Sequence, residues 1–363
     1  MSFGGGARRA PLLTRDSGPR ILVTGAAGFI GFHLCRAVLA EEAVVVGVDA
    51  ITPYYDRSLK AGRVAELMRN RQFRFQHLDL SDLPALKELF ERFRPDKVVH
   101  LAAQPGVRAS FDDPLATRAG NLDASLALLE ACRAHRIDHL VYASSSSVYG
   151  LNERIPFRES DRVDRPASIY GASKRAAELF FQTYAGLFDL PTSGLRLFTA
   201  YGPWGRPDMA YMLFAEAIAA GRPIELYNYS NMQRDFTYVG DIVEAIRRLI
   251  DIPPATAAPR LGLALDAPHL LYNVGSGQPV ALGALVESLE RHLGRSAQCR
   301  YRAMPPGEMP VTYADTSRLV AVTGYAPTTS LDDGISAFAD WFRQERQAPA
   351  FVASRVENAA AGR

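Results

Sequence analysis

A tyrosine and a lysine four residues apart, Tyr170 and Lys174, have the spacing that most directly suggests chemistry. Residues four apart share one face of a helix. Free tyrosine has a pKa of about 10, but nearby positive charges such as a lysine ammonium favour the phenolate and lower that pKa. A phenolate held in this way can take a proton from a substrate hydroxyl. We therefore predict that Tyr170 is a general base and that Lys174 is its partner.

A serine-rich segment offers a further polar group for the same site. Ser145 lies 25 residues before Tyr170, within the run Ser144-Ser145-Ser146-Ser147 that follows a short apolar stretch. Ligands of open α/β sheets bind at the carboxyl ends of the strands. A hydroxyl at this position is expected to hold the reacting oxygen beside Tyr170.

Three glycines in the pattern G-x-x-G-x-x-G, Gly25, Gly28 and Gly31, indicate a dinucleotide site. They follow a predicted strand and open a predicted helix. Glycines at this spacing allow a sharp turn, close approach of the backbone to a pyrophosphate, and tight packing of the helix on the strand. The free N–H groups and the positive dipole end of the helix then face the phosphates.

Acidic residues at the ends of the next two strands complete the predicted cofactor site. Asp49 would bind the ribose hydroxyls and repel a 2′-phosphate, so NAD is favoured over NADP. Asp79 would accept from the adenine amino group, or it would simply start the next helix together with Ser81. The residues assigned to NAD binding are Gly25, Gly28, Phe29, Ile30, Gly31, Asp49, Asp79, Leu80, Leu101, Ala102, Ala103, Tyr170 and Lys174.

Short apolar runs alternate with segments of helical period along most of the chain, which is typical of a parallel sheet covered by helices on both faces. The sequence thus predicts an α/β fold: a doubly wound parallel Rossmann sheet with a smaller interleaved α/β substrate-binding domain. Residues 50–72 are longer than an ordinary joint and predict an inserted helix. The predicted strands are 20–24, 43–49, 73–79, 97–103, 139–145 and 194–199, and the predicted helices are 28–40, 82–93, 114–135 and 168–188.

Turn-rich segments after residue 200 suggest a change of domain. We expect a NAD-binding domain over 19–200, to which the chain returns near 237–250 and 271–275. Residues 201–345 are expected to form mainly the substrate-binding domain. A disordered tail is expected over 1–18 and a loose tail over 346–363.

Composition excludes several other classes of function. The 363 residues are 48% hydrophobic, and the formal net charge is +2, so no basic excess points to nucleic acid or to a membrane surface. No segment has the apolar length of a membrane span. Three widely spaced cysteines and scattered histidines give no metal-binding spacing and favour a reducing compartment. We therefore expect a cytoplasmic protein without a metal site.

These residues together resemble the extended short-chain dehydrogenase/reductase superfamily over roughly residues 20–345 and, within it, the bacterial UDP-glucuronate 4-epimerases. The segments that carry the resemblance are VTGAAGFIGFHL, PYYDRSLK, HLAAQPGVRAS, VYASSSSVYG, SIYGASK, GLRLFTAYGPWGRPDM, QRDFTYVGDIV and TYADTS. The resemblance implies that the chain is an isomerase acting on a UDP-sugar, and that it forms a homodimer through the helices around 114–135 and 168–188.

The same resemblance implies roles for individual residues. Ser145 matches the catalytic hydroxyl, Tyr170 the base and Lys174 its partner. Arg234 matches the residue that clamps the diphosphate. The substrate-binding set is Arg108, Ser146, Ser147, Thr199, Arg206 and Arg234, of which Ser146, Ser147, Thr199 and Arg206 match carboxylate-binding positions.

Arg206 favours a uronic acid as the substrate, because its planar fork suits a carboxylate; it would equally suit a phosphate. The reaction expected is the interconversion of UDP-glucuronate and UDP-galacturonate through a 4-keto intermediate. Two other enzymes remain as alternatives. A UDP-glucuronate decarboxylase typically carries glutamate where this chain has Ser147. A neutral UDP-hexose 4-epimerase would not need Arg206. A NAD-sensing protein without activity would tend to lose Tyr170 or Lys174.

Overall fold

Seven parallel strands form the central sheet of the computed structural model, which describes residues 18–304 and 309–347. The tail expected at 1–18 lies outside these residues except for Gly18, and the tail expected at 346–363 lies outside them except for the end of one helix. The strand order is β10-β6-β5-β4-β1-β2-β3. The strands are β1 (Arg20–Thr24), β2 (Val44–Asp49), β3 (Phe73–His77), β4 (Lys97–His100), β5 (His139–Ser145), β6 (Thr192–Leu197) and β10 (His269–Val274).

Helices cover both faces of this sheet. One face packs mainly against α1 (Phe29–Ala40), α9 (Val239–Ile250) and α12 (Ser317–Thr323). The other packs against α3 (Leu83–Phe93), α6 (Ala124–His135) and α7 (Ile169–Phe188). The strands β1 and β2 are apolar along nearly their whole length because both of their faces are buried. The predicted doubly wound Rossmann fold is confirmed.

The other strands form two smaller sheets. One three-stranded sheet has the order β11-β9-β7, and one two-stranded sheet pairs β12 with β8. Helices α8, α11 and α13 share an apolar core with the strands of these two sheets. The bounds are β7 (Thr199–Tyr201), β8 (Ile224–Leu226), β9 (Gln233–Tyr238), β11 (Pro279–Ala281), β12 (Cys299–Tyr301), α2 (Arg57–Leu67), α4 (Val107–Asp112), α5 (Pro114–Arg118), α8 (Ala210–Ala220), α10 (Pro254–Ala257), α11 (Leu282–Leu293) and α13 (Leu331–Gln347).

Two predicted elements differ in detail from the structure. The helix expected over 114–135 is divided into α5 and α6 by a π-helical turn, Ala119–Asp123. In that turn the side-chain amide of Asn121 accepts from the Gln104 N–H and donates to the Gln104 carbonyl oxygen and to the Ser173 hydroxyl. Contacts with residues distant in sequence therefore set the register of the helix here. The strand expected over 97–103 ends at His100. Residues 101–103 leave the sheet because they line a cavity at its edge.

A buried ion pair fixes α7 against the sheet. Arg196 on β6 donates from Nε and Nη2 to the Glu178 carboxylate on α7, at 2.9 and 3.0 Å, and both side chains are only 1% exposed. The Ser144 hydroxyl on β5 donates to the same carboxylate at 2.7 Å. The Arg196 guanidinium also stacks over the Tyr149 ring. Three elements therefore meet at Glu178.

We predict that Arg196→Met destabilises the protein by about 3–5 kcal/mol, because it leaves the Glu178 carboxylate buried without its main partner. The double variant Glu178→Met/Arg196→Met should lose markedly less, since no charge is then stranded. Urea unfolding followed by circular dichroism measures both. Equal losses in the single and double variants would contradict this account of the pair.

Candidate functional site

A cavity of about 900 Å³ opens at the carboxyl edge of the central sheet, where β1 and β4 are neighbours and the chain crosses to opposite sides. This topological switch point is where open α/β sheets bind ligands. Every residue that the sequence assigned to cofactor, catalysis or substrate lines this one cavity: Gly25, Gly28, Phe29, Ile30, Gly31, Asp49, Asp79, Leu80, Leu101, Ala102, Ala103, Arg108, Ser145, Ser146, Ser147, Tyr170, Lys174, Thr199, Arg206 and Arg234. Their individual roles remain predictions.

The glycine-rich turn between β1 and α1 is closely packed. Gly25 has φ +72°, a conformation that favours glycine. A Cβ on Gly31 would lie 2.1 Å from the Gly25 carbonyl oxygen, so α1 can approach the turn only with glycine there. No side chain caps the N-terminus of α1 at Gly28. Its N–H groups and the dipole end thus face the cavity and fit a pyrophosphate.

Asp49 lies at the end of β2, where a ribose-binding carboxylate is expected. One of its oxygens accepts from the Ile51 backbone N–H at 2.8 Å and lies 3.7 Å from the Lys60 ammonium. Lys60 is buried and also donates to the Thr52 hydroxyl. Burial lowers the pKa of Lys60, and the Asp49 carboxylate partly opposes that shift. Sequence reasoning missed Lys60, although it lies in the quoted segment PYYDRSLK.

Asp79 has the geometry of both interpretations that the sequence left open. It lines the cavity, yet one carboxylate oxygen accepts from both the backbone N–H and the hydroxyl of Ser81. The residue that caps α3 is Asp82, whose side chain accepts from the Ala85 N–H. Asp79 therefore shapes the turn after β3 and leaves a second oxygen for a ligand.

The predicted catalytic residues lie at the meeting point of β5 and α7. Ser168 caps α7 by accepting from the Gly171 N–H, which starts the helix two residues before Tyr170. Lys174 donates to the Ala143 carbonyl oxygen at 3.0 Å and lies one turn further along. Ser145 ends β5 and hydrogen-bonds the Tyr170 hydroxyl. The tyrosine, the lysine and the serine thus face one space.

The surroundings of Tyr170 act on the pKa of its phenol in both directions. Burial raises the pKa of Tyr170 above its usual value, while the hydrogen bond with Ser145 and the charge of Arg206 lower it. Burial also lowers the pKa of Lys174 to about 8, against the opposing effect of Glu178. Arg206 thus acts on the phenol of Tyr170 as a second cation beside the predicted one, and the role of Lys174 toward Tyr170 stays a prediction.

The residues expected to bind substrate surround the same space. Ser146 and Ser147 form a 3₁₀ turn after β5, and Thr199 begins β7. The Arg108 guanidinium stacks over the Tyr227 ring. Arg234 donates to the carbonyl oxygen of Gln233. Arg206 forms a two-point ion pair with Asp208, a residue that sequence reasoning missed although it is part of the quoted segment GPWGRPDM.

Within residues 18–304 and 309–347, no cluster of histidine, cysteine, aspartate and glutamate could hold a metal ion. Over the same residues, no helix combines the length and the apolar character that crossing a membrane requires.

A Rossmann sheet with an uncapped glycine-rich turn and a tyrosine–lysine helix at one cavity defines a nicotinamide-dependent enzyme. The chain belongs to the NAD dependent epimerase/dehydratase family, whose model matches residues 21–263. The predicted resemblance to the extended short-chain dehydrogenases is confirmed, and so is NAD as the cofactor.

Similar proteins include several that act on UDP-sugars. A probable UDP-glucuronate 4-epimerase of Rhizobium meliloti is 44% identical over 331 residues, which cover 90% of this chain and 97% of that protein. The crystal structure of a UDP-glucuronic acid 4-epimerase from Bacillus cereus, in complex with UDP-glucuronic acid and NAD, has a TM-score of 0.80 at 34% identity and covers 90% and 99% of the two chains. A UDP-glucose 4-epimerase of Thermus thermophilus in complex with NAD has a TM-score of 0.77 at 30% identity, covering 89% and 99%.

We predict that Arg206→Gln shifts the acid limb of the kcat/KM profile to higher pH. The positive charge of Arg206 favours the Tyr170 phenolate, so its removal raises the pKa of Tyr170 and a higher pH is needed to form the base. The profile of kcat/KM against pH reports the groups of the free enzyme.

Arg234→Gln is the matched control for this measurement. It should weaken substrate binding without moving the acid limb, because Arg234 is not among the charges that shift the pKa of Tyr170. An acid limb at the same pH in Arg206→Gln and the unmodified protein would refute the electrostatic coupling.

Proposed function

We propose that this chain is a UDP-glucuronate 4-epimerase, which interconverts UDP-glucuronate and UDP-galacturonate through a 4-keto intermediate. The observation that carries the proposal is the position of Arg206, close enough to Tyr170 for its charge to act on the phenol and inside the same cavity. A guanidinium beside the catalytic base suits a sugar that carries a carboxylate on C5, the ring carbon next to the reacting C4.

The chain's own residues account for the proton transfers. Ser145 holds the C4 oxygen beside Tyr170, and the tyrosine oxygen takes the hydroxyl proton as C4 is oxidised. Lys174, fixed by the Ala143 carbonyl oxygen, holds the cofactor ribose and keeps a positive charge near the base. The bound NAD supplies the chemistry of accepting hydride from C4 and returning it to the opposite face. Tyr170 then gives the proton back.

The carboxylate of the sugar is proposed to lie among Arg206, Thr199, Ser146 and Ser147. The hydroxyls of Ser146 and Ser147 follow β5 directly, and Thr199 starts β7 just after β6, which is the neighbour of β5. All three residues line the cavity that Tyr170 also lines. Charge-assisted hydrogen bonds of this kind hold a carboxylate in a defined orientation. Ser147 also stands where decarboxylases of the family typically have glutamate, which supports epimerisation over loss of CO₂.

The other part of the substrate is proposed to contact residues 201–345. Arg234 on β9 lines the cavity and is proposed to clamp the diphosphate. Arg108, stacked on Tyr227, borders the same region and is proposed to contact the nucleotide. We infer that 19–200 mainly bind NAD and 201–345 mainly bind the UDP-sugar. The cysteines Cys35, Cys132 and Cys299 are free thiols, which is consistent with a reducing, cytoplasmic location.

We expect the purified protein to convert UDP-glucuronate into UDP-galacturonate, observed as the change of the H4 signal by NMR. Tyr170→Phe should lower the rate by about 10²–10⁴, since only the proton-accepting oxygen is lost. The variant should still bind the UDP-sugar, which isothermal titration calorimetry measures. Turnover of UDP-glucose but not of UDP-glucuronate would overturn the proposed substrate, and near-normal turnover by Tyr170→Phe would overturn the mechanism.

A homodimer is proposed because large apolar side chains remain exposed on neighbouring helices. Leu179 and Leu187 on α7 are 48% and 71% exposed, and Leu115 on α5 is 69% exposed. Leu179 and Leu187 are eight residues apart, so they lie on one side of α7. Burying such side chains against a second copy of the chain would remove them from water.

We predict that Leu187→Glu shifts the protein from dimer to monomer in analytical ultracentrifugation, because it places a charge in the proposed interface. Met68→Glu, at a methionine that is 51% exposed at the end of α2, is the control and should leave the mass unchanged, because α2 packs against α1. A monomeric unmodified protein, or a dimer that tolerates Leu187→Glu, would contradict the proposed surface.

A further inference from the structure

The Arg206 guanidinium has a protein partner on one of its two edges. Nε donates to Asp208 Oδ1 at 3.0 Å, and Nη2 donates to Asp208 Oδ2 at 2.6 Å. A guanidinium presents its five N–H groups in a rigid plane, with one fork at Nε and Nη2 and another at Nη1 and Nη2. Asp208 occupies the first fork. The second fork is therefore the one that a substrate carboxylate can take.

Tyr54 also holds Asp208 in place. The Tyr54 hydroxyl donates to Asp208 Oδ2 at 3.1 Å, and the Arg206 guanidinium carbon lies 5.9 Å from the centre of the Tyr54 ring. Burial and the Asp208 carboxylate raise the pKa of Tyr54 to about 12, so it remains a donor at neutral pH. A Cβ at residue 106 would lie 2.4 Å from this hydroxyl, so Gly106 provides the room that Tyr54 needs.

Arg63 holds the backbone that carries Arg206. Its side chain is fully buried, and Nη2 donates to the carbonyl oxygens of Trp204 and Gly205. Nη1 donates to the Ala27 carbonyl oxygen at 2.8 Å and to the Tyr55 hydroxyl at 2.7 Å. A buried arginine usually pairs with a carboxylate. Here it joins the glycine-rich turn to the loop that precedes Arg206.

Tyr54 and Arg63 both lie within residues 50–72, the segment for which the sequence predicts an inserted helix. We propose that Tyr54 and Asp208 are positioning residues for Arg206, and that they decide whether the oxidised sugar is returned as an epimer or loses CO₂. The inference rests on the proposed function and goes further, because it assigns roles to residues that do not themselves contact the reacting atoms.

Loss of CO₂ depends on the orientation of the carboxylate. Once C4 is a ketone, the C5–C6 bond can break, its electron pair moves into the C4 carbonyl as an enolate, and CO₂ leaves. The enolate then takes a proton at C5 to give a UDP-4-keto-pentose. The breaking bond must align with the carbonyl π system. A guanidinium whose plane is fixed by Asp208 and Tyr54 holds the carboxylate away from that alignment, and misplacement by about 1 Å changes reactive geometry strongly.

The test compares Tyr54→Phe, Asp208→Asn and the unmodified protein with UDP-glucuronate as the substrate. Both substitutions keep the shape of the side chain: the first removes the hydroxyl that holds Asp208, and the second removes the charge that holds Arg206. We expect the fraction of 4-keto-pentose, relative to UDP-galacturonate, to rise roughly fivefold or more in each variant. NMR of the products measures the ratio, and thermal unfolding checks that each variant is folded.

Tyr325→Phe is the matched control, because it also removes a tyrosine hydroxyl that donates to an aspartate, Asp241, away from the cavity. Its product ratio should equal that of the unmodified protein. UDP-glucose is the comparison substrate, since its sugar is neutral and has no carboxylate to lose or to misplace. A larger fall in kcat/KM for UDP-glucuronate than for UDP-glucose in the Tyr54 and Asp208 variants would support the proposal.

The remaining outcomes distinguish failure of the proposed function from failure of the positioning role. If the unmodified protein does not epimerise UDP-glucuronate, the proposed function fails and takes this inference with it. If it does, and Tyr54→Phe is folded with an unchanged product ratio, the positioning role is overturned while the function stands. Equal losses of activity toward both sugars, at a constant product ratio, would likewise overturn it, because they would reveal a general structural role. If Asp208→Asn does not fold, the product ratio of Tyr54→Phe alone decides whether the positioning role stands.

Discussion

The ion pair between Glu178 and Arg196 is the interaction on which the geometry of the site depends. It joins the middle of α7 to β6, and the Ser144 hydroxyl extends it to β5. Lys174 lies one turn before Glu178 on α7 and donates to the backbone of β5. A buried ion pair adds little net stability over an apolar pair, but it is satisfied in only one arrangement. The helix that carries Tyr170 therefore has a single register against the strand that ends at Ser145.

Three of the cations in the wall of the cavity have a carboxylate close by. Lys60 lies beside Asp49, Lys174 one helical turn before Glu178, and Arg206 against Asp208. A buried charge without a partner is costly. The pairing allows three cations to stand around a site for a negatively charged dinucleotide and sugar nucleotide without being stranded before those ligands arrive. One of these cations, Arg206, acts by its charge on the phenol of Tyr170.

The sequence predicts the parts of this structure that follow from local pattern. Runs such as residues 44–49 read as strands because both faces of a parallel sheet are buried, and the glycine spacing specifies the turn before α1. The π-helical turn at Ala119–Asp123 was not predictable, because its cause is a contact of Asn121 with residues far along the chain. Tyr54 escaped for the same reason, because it lies 154 residues from Asp208, to which it donates. Asp208 is only two residues from Arg206, but the local pattern does not show that the two side chains pair. A sequence motif identifies the groups that carry out the chemistry, whereas the groups that orient them are brought together by tertiary packing.

The pairing of Arg206 with Asp208 also bears on how tightly the sugar should be held. A 4-keto sugar must turn over within the cavity before hydride returns to its other face, so its carboxylate has to be released and rebound during each cycle. A guanidinium that binds the sugar alone would hold it with its full charge. When Asp208 occupies one fork of the Arg206 guanidinium, the carboxylate of the sugar meets a partly neutralised cation and a nearby anion. The sugar carboxylate is therefore bound more weakly. The same pair keeps the plane of Arg206 fixed while the sugar is detached. A carboxylate that is loosely held but always met by a guanidinium of fixed orientation satisfies both demands of the reaction, rotation of the intermediate and retention of its CO₂.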